Sequence, residues 1–314
     1  MNNIKKNVFT AIAGKANTGK STLINLLVGD KVAIVSAKPQ TTRTRIHGII
    51  TKRNICSEPG TDSETQFVFI DTPGFHKARN RLSEHMVKQA RSGVAGADVV
   101  LMIADCSKKI SAAEIALTES FKEQNAVVIL LINKVDLIRD KTKLLNIIDG
   151  YSKLYEFAEI IPISAKTGEN TDKILPALEK YAIEGEHSFP DDISTDQAEK
   201  VWLSEIVREK ILLSMHEEIP HGAAVEIESM EESKTNSGKP IIDISVVIIC
   251  EKASHKGMII GKHGENLKRI GTAARLEMED YFECKVNMKL WVKVKEDWRN
   301  KEGFIAELGL SAEL

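Results

Sequence analysis

Gly14-Lys15-Ala16-Asn17-Thr18-Gly19-Lys20-Ser21 fits G-x-x-x-x-G-K-[ST], the pattern of a phosphate-binding loop. Asn7 to Ala13 before it reads as a short buried strand, and Ser21 to Val28 after it as an apolar-faced helix. That strand–loop–helix context is what the motif requires. Glycines let backbone N–H groups turn inward around phosphate oxygens, and the start of the helix adds partial positive charge. Lys20 is expected to reach the outer phosphates and Ser21 to ligate Mg²⁺. Gly14 through Thr22 are the candidate contacts.

Outward from this loop, strand and helix patterns alternate as far as Tyr181. Strands are expected at Asn7–Ala13, Arg45–Thr51, Gln66–Asp71, Asp98–Ala104, Ala126–Asn133 and Glu159–Ser164. Helices are expected at Ser83–Val94, Ala112–Lys122, Lys141–Tyr155 and Asn170–Tyr181. Alternation of this kind implies an α/β fold, a doubly wound, mostly parallel sheet covered on both faces. Ligands of such sheets sit at the carboxyl ends of the strands. The remaining motifs fall at such ends.

Ser36 to Arg45 is polar and without period, and reads as a loop. Thr42 is the favoured second Mg²⁺ ligand there, with Thr41 the alternative. Asp71-Thr72-Pro73-Gly74 closes its strand about 50 residues after the phosphate loop. An Asp in that place can hold the Mg²⁺ shell through water, and the Gly74 N–H can sense a γ-phosphate. Lys20, Thr42, Asp71 and Gly74 are therefore the candidate catalytic set. Phe75 follows, where many switch GTPases place a Gln to orient water; Phe has no group for that task. Asn133-Lys134-Val135-Asp136 is an N-K-x-D motif. Its Asp can accept hydrogen bonds from the ring N–H and exocyclic amine of guanine, donors that adenine lacks at that edge. Ser164-Ala165-Lys166 ends the last strand, with backbone N–H groups for the guanine carbonyl.

The totals bound the rest. At 314 residues two domains are expected. The boundaries read as 1–183, a linker at 184–196 containing Pro190, and 197–314. A net charge of −2 does not advertise a nucleic-acid surface, so any such surface must be local. The four cysteines form no C-x-x-C and read as reduced thiols. Met1 to Lys6 has no apolar signal segment. No apolar run reaches the about 18 residues of a membrane span. Asn54 to Thr65 is polar and reads as a solvated hairpin tip.

The second half reads as a helix at Gln197–Met215, strands at Ala223–Met230 and Ile241–Cys250 around a polar tip, a helix at Glu265–Phe282, and a strand at Cys284–Lys295. Between the second strand and the Glu265–Phe282 helix lies Gly261-Lys262-His263-Gly264, a G-x-x-G turn. Side-chain-free turns let a single-stranded nucleic-acid backbone lie against N–H groups. From Lys252 to Arg275 there are six Lys or Arg against one acid, Glu265. A local excess in a nearly neutral chain marks an RNA footprint. The candidate RNA contacts are Lys256, Gly257, Gly261, Lys262, His263, Gly264, Lys268, Arg269 and Arg275.

Together these residues resemble the bacterial Era GTPases. The likeness runs through P-Q-T-T-R at Pro39–Arg43, D-T-P-G-F at Asp71–Phe75, H-K-G-M-I-I-G-K at His255–Lys262, I-G-T-A-A-R at Ile270–Arg275 and L-W-V-K-V-K at Leu290–Lys295. The resemblance implies a P-loop GTPase domain followed by a type II KH domain, with GTP/GDP and Mg²⁺ as ligands. It carries nucleotide roles to Gly14–Ser21, Asp71–Phe75 and Asn133–Asp136, and an RNA role to the Gly261–Gly264 turn and the Lys and Arg residues near it. It further implies a monomer that binds the 3′ end of 16S rRNA and the 30S subunit in small-subunit maturation. The implied location is the cytoplasm, with peripheral contact with the inner membrane. Two features depart from the family: the longer Asn54–Thr65 segment, and His263 in place of Gly, which permits the turn if its φ is negative.

Two rival readings remain. A constitutive RNA-binding adaptor would have no need of Lys20, Ser21, Asp71 and Asp136 together. A GTPase that modifies transfer RNA would need a reactive Cys or a cofactor site, and no cysteine has such sequence surroundings.

Overall fold

A computed structural model describes residues 4–38, 41–54, 63–74, 80–215, 219–234 and 238–311. They form two compact units, one of residues 4–74 and 83–196, the other of residues 80–82 and 197–311.

The first unit is built on β1 (Ile4–Gly14), β2 (Ile46–Asn54), β3 (Ser63–Asp71), β4 (Val99–Asp105), β5 (Val128–Asn133), β6 (Glu159–Pro162) and β7 (Ile183–Glu184). The sheet order is β2-β3-β1-β4-β5-β6, parallel except for β2 on β3, with β7 antiparallel on the start of β1. Every residue of β4 is buried, as a strand covered on both faces must be. Its side chains alternate between two cores. Leu101 and Ile103 meet Leu23 and Ile24 of α1 (Lys20–Val28) and Leu178 of α5 (Ile174–Glu179). Val100 and Met102 meet Leu117 and Phe121 of α3 (Ala112–Glu123) and Tyr151 of α4 (Lys141–Ser152). The remaining helix of this unit's chain, α2 (Arg81–Ala95), joins the second core through Val94. The expected doubly wound architecture is thus present, and it sets the phosphate loop and the later motifs at one end of the sheet.

Several elements differ in extent from the sequence reading. The β2–β3 ladder extends to Asn54 opposite Ser63, so four residues assigned to the polar tip, Asn54, Ser63, Glu64 and Thr65, are strand. Cross-strand bonds such as Arg53 Nε to Glu64 Oε1, 2.7 Å, compensate their polarity. The rest of that segment lies outside the described residues. The helix expected from Asn170 is broken, because Asn170 takes a left-handed φ of 57° and a short 3₁₀ turn precedes α5. Residues 184–196 run along the first unit. Ile49 N donates to Ser194 O at 2.8 Å, Gln66 Nε2 donates to Phe189 O at 2.9 Å, and His47 Nδ1 lies 2.6 Å from Asp196. Gln66 is buried, and this strap supplies the partners its amide requires.

The second unit follows the order α6 (Glu199–Ser214), β8 (Ala224–Lys234), β9 (Pro240–Cys250), α7 (Ala253–Ile260), α8 (Glu265–Phe282) and β10 (Lys285–Val294). β9 is central, antiparallel to β8 and parallel to β10. One face of β9 carries Ile242, Ile244, Val246 and Ile248, all buried, and α8 contributes the buried Ile270, Ala274 and Met278. The tip between β8 and β9 is shorter than read, since the ladder continues to Lys234 opposite Pro240. A closing α9 (Glu302–Glu307), which sequence periodicity did not reveal, follows Trp298. That indole is fully buried, and its Nε1 donates to Gly222 O at 2.9 Å. No helix among the described residues is long and apolar enough to cross a membrane.

Candidate functional site

β1 ends at Gly14, and α1 starts at Lys20 with Gly19 as its N-cap, at φ 104° and without a side-chain cap. A Cβ at Gly19 would overlap the Asn133 amide, so this turn requires glycine. An uncapped helix start is a place for an anion. The buried Lys20 ammonium donates to Lys15 O at 3.1 Å and Gly14 O at 3.3 Å. Burial pushes it below the usual lysine range, with the Asp71 charge opposing. Thr18 Oγ1 ties the loop to itself through Lys15 O at 3.0 Å. A cavity of about 320 Å³ opens between the loop, Ser36–Lys38 and Gly74, with Thr22 on its wall. A Cβ at Gly74 would stand 3.1 Å from Ala16 N, so D-T-P-G passes this close because it ends in glycine. Thr72, bonded through Oγ1 to Ile12 O at 3.0 Å, and Pro73 are buried and carry that turn. Phe75 lies outside the described residues.

Ser21 Oγ, Thr42 Oγ1 and Asp71 Oδ2 form a triangle with all three sides 3.1 Å. Neighbouring oxygens at right angles around Mg²⁺, each about 2.1 Å from it, stand about 3 Å apart. Asp71 Oδ1 is buried without a hydrogen-bond partner. Burial pushes the Asp71 carboxyl up, while the Lys20 charge and the two hydroxyls pull it down. An oxygen-only set with an unpartnered carboxylate oxygen fits a hard divalent cation. Thr41 does not join it, since its hydroxyl donates to Lys38 O at 2.7 Å. Of the two threonines left open by the sequence, Thr42 is the one whose hydroxyl joins this triangle.

At the base end, Asn133 ties three segments together. Its Nδ2 donates to Thr18 O at 2.7 Å, and its Oδ1 accepts from Lys134 N at 2.7 Å and Ala165 N at 2.9 Å. Lys134 holds a left-handed φ of 69°, a strained state for a lysine. Its Nζ donates to Asn17 O at 2.7 Å and Asp105 Oδ2 at 2.6 Å, and its carbonyl accepts from the Cys106 thiol at 3.0 Å. Val135 is buried, its N–H bonded to Ile163 O at 3.2 Å. Asp136 is exposed, and Ser164 Oγ donates to its Oδ1 at 2.6 Å, leaving Oδ2 for a base. The amides of Ser164 and Ala165 are already bonded, to Glu169 O and Asn133 Oδ1, at 3.1 and 2.9 Å. Lys166 is the member of this turn whose amide has no such bond among the described residues.

Sequence reasoning missed Asp105 and Cys106. Both sit where β4 ends, the position at which such sheets place ligands. Burial opposes ionisation of Asp105, yet the bonds from Lys134 and Ser107 hold its carboxyl below the usual range. Burial raises the Cys106 thiol to about 11, and Cys250 is raised for the same reason. Neither buried thiol has the lowered pKa of a nucleophile.

In the second unit, α7 ends at Gly261 with φ 74°, and α8 is entered from Gly264, again left-handed at φ 79° and again without a side-chain cap. His263 between them has φ 51°, so it takes the turn left-handed and without the negative φ set as its condition. Asn266 Nδ2 pins the turn to Met258 O at 2.9 Å. A groove of about 610 Å³ is lined by Gly257, Gly261, Lys262, Asn266, Met215 and Ile219, among others. Lys256, Lys268 and Arg269 lie on the flanking helices outside its lining. Arg275 is not brought to the turn. It lies ten residues along α8 from Glu265, about 15 Å of helix, and pairs with Glu279 at 2.7 Å.

Comparison with known proteins covers both units. Residues 9–134 match the family model described as 50S ribosome-binding GTPase, and residues 218–299 match the KH domain model. The chain is 45% identical to GTPase Era of Clostridioides difficile over 97% of its own length and 98% of that protein. It is 42% identical to GTPase Era of Syntrophus aciditrophicus, covering 97% and 95%. A crystal structure of Era with MgGDPNP and nucleotides 1506-1542 of 16S ribosomal RNA is 37% identical, with a TM-score of 0.89 over 98% of this chain and 99% of that one. A variant Aquifex aeolicus Era bound to GDP·AlF4− is 36% identical, with a TM-score of 0.88 over 98% and 99%. With every nucleotide motif placed at a strand end and likeness spanning both units, this chain belongs to the Era family of GTPases.

Proposed function

We propose that this GTPase binds GTP with Mg²⁺ at the first site, hydrolyses it slowly, and holds the unpaired 3′ end of 16S rRNA in the G-x-x-G groove during small-subunit assembly. The observation that carries this reading is the pairing, in one chain, of two uncapped glycine turns, one beside an exposed guanine-reading Asp136 and one beside Lys262. Its support from likeness is the Era structure that contains both MgGDPNP and 16S nucleotides.

Ser21, Thr42 and Asp71 are the residues that would hold Mg²⁺, which supplies positive charge to phosphate oxygens when bound. Lys20 adds a second positive charge at the outer phosphates. In hydrolysis water attacks the γ-phosphorus, the bond to the bridging oxygen breaks, and GDP and phosphate result. Gly74 N–H and Thr42 register whether the γ-phosphate is present, so loss of that group frees Gly74 and Thr42 from it. With Phe75 in place of a Gln, unaided turnover is on the order of 10⁻⁴ to 10⁻² s⁻¹. The setting is the cytoplasm, as a monomer on the 30S subunit, with peripheral contact with the inner membrane; the family likeness is what supports this part.

The test is a binding titration of the purified chain with a labelled oligonucleotide of the 16S 3′ end, under GDP and under GDPNP, alongside GTP and ATP turnover. Binding at least tenfold tighter than to a scrambled oligonucleotide, with GTP but not ATP hydrolysed, is expected. Equal affinity for both oligonucleotides, or equal turnover of both nucleotides, overturns the reading.

A further inference from the structure

A second cleft lies behind the base-reading loops, between the turn that follows β4 and the start of α4. It encloses about 800 Å³. Its rim carries Lys108, Lys109, Arg139 and Lys143, all exposed and none ion-paired with an acid among the described residues. Against these four stands one acid, Asp140, and its Oδ1 is occupied by Thr142 N at 2.9 Å as the cap of α4. The floor is aliphatic, with Ile110, Ile138 and Ile147 half-buried. Leu137 stands 60% exposed at its edge, too open for a core residue.

We propose that this cleft is a docking site for an acidic amphipathic polypeptide segment of a partner protein. Charge complementarity calls for an anionic partner. The aliphatic floor selects a polypeptide over RNA, because it offers side-chain burial to an apolar stripe. The lining contains no aromatic ring on which a base could stack. The partner's acids meet the rim, and its apolar face covers Leu137 and the isoleucines.

The location gives such docking a consequence. One wall of the cleft, from Leu137, follows directly on Asn133–Asp136, and the other, from Cys106, is bonded to that loop. Cys106, in the lining, holds Lys134 O at 3.0 Å, and Leu137 N donates to Lys134 O at 3.0 Å. A segment seated here bears on Lys134 and, through it, on nucleotide release. That consequence rests on the proposed guanine site; the docking itself does not.

The test uses the full chain and a synthetic labelled peptide with Leu at i, i+3, i+4 and i+7 and Glu at most other positions. A peptide of identical composition with the Leu residues scattered is the control, and single-stranded poly(U) is the RNA probe. Anisotropy is measured with and without GDP, and release of fluorescent GDP in parallel. The patterned peptide is expected to bind at least tenfold tighter than the scattered one, more weakly at higher salt, and to change GDP release. Arg139→Glu with Lys143→Glu, and separately Leu137→Gln, are each expected to weaken it by tenfold or more. Leu137 is exposed, so its replacement leaves the fold intact, as circular dichroism would verify. Equal binding of the two peptides, or no effect of either variant, overturns the site. Poly(U) binding that is lost with the two Glu substitutions and indifferent to Leu137→Gln also overturns it, in favour of RNA. Peptide binding without any change in GDP release leaves the docking standing and removes the coupling.

Discussion

The turns Gly14–Gly19 and Gly261–Gly264 use one local device in opposite surroundings. Each hands the chain to a helix from a left-handed glycine, and neither helix has a side-chain cap. Around the first, Thr18, Lys20, Asp71 and Asn133 are buried, and a Cβ at Gly19 would collide with the Asn133 amide. Around the second, Lys262 and His263 are exposed, and a Cβ at Gly264 would meet nothing within 4 Å. Enclosure converts a phosphate-binding turn into a selective one, because a wrong ligand leaves buried groups unpaired. Openness leaves it tolerant, with affinity collected from many small contacts.

The largest effect that would sharpen this contrast is at the base. Asp136→Asn should weaken GTP about 10³-fold, since the second acceptor oxygen becomes a donor facing donors. The same variant should gain affinity for xanthosine triphosphate, whose C2 carbonyl accepts from the new amide. Calorimetry with both nucleotides reads this, and a loss under tenfold would break the contrast. Asp105→Ala comes next. It frees one end of Lys134 and should weaken GDP and GTP alike by about tenfold, the value of one hydrogen bond to a charged group. Single-turnover hydrolysis of bound GTP should not change, which separates positioning from chemistry. Lys262→Ala should weaken the 16S oligonucleotide by only a few-fold and reduce its salt slope by about 0.7. A loss of 10² or more would mean that the open turn is as selective as the enclosed one. The smallest effect is His263→Gly, which relieves a left-handed histidine and should stabilise the chain by about 0.5 kcal/mol. Thermal melting of the two proteins would detect it.

The same contrast accounts for what could be read from the chain alone. Gly14–Ser21, Asp71–Gly74 and Asn133–Asp136 are contiguous motifs on buried strand ends, where spacing implies geometry. Asp105 and Cys106 carry no motif. Their task is defined by Lys134, 29 and 28 positions further on, and only the β4–β5 pairing brings them together. The loop read as a string favours Thr42 without excluding Thr41, and the two are separated by which hydroxyl reaches Asp71 Oδ2, 3.1 Å away for Thr42. Arg275 counted toward a basic footprint because composition ignores direction along a helix. The turn holds His263 at φ 51°, not at the negative φ that a side chain prefers.

The strap formed by residues 184–196 has a practical consequence for dissecting this protein. A fragment ended at Ile183 would lose the backbone acceptor of Ile49, the amide partners of Gln66 and the carboxylate beside His47 in a single cut. Its β2 edge would then present open donors and lose the ring contact that Phe189 makes with His47 at 5.7 Å, leaving a surface prone to self-association. The shortest fragment that keeps this edge covered ends at Asp196, and enzymatic assays on anything shorter would report on a damaged sheet.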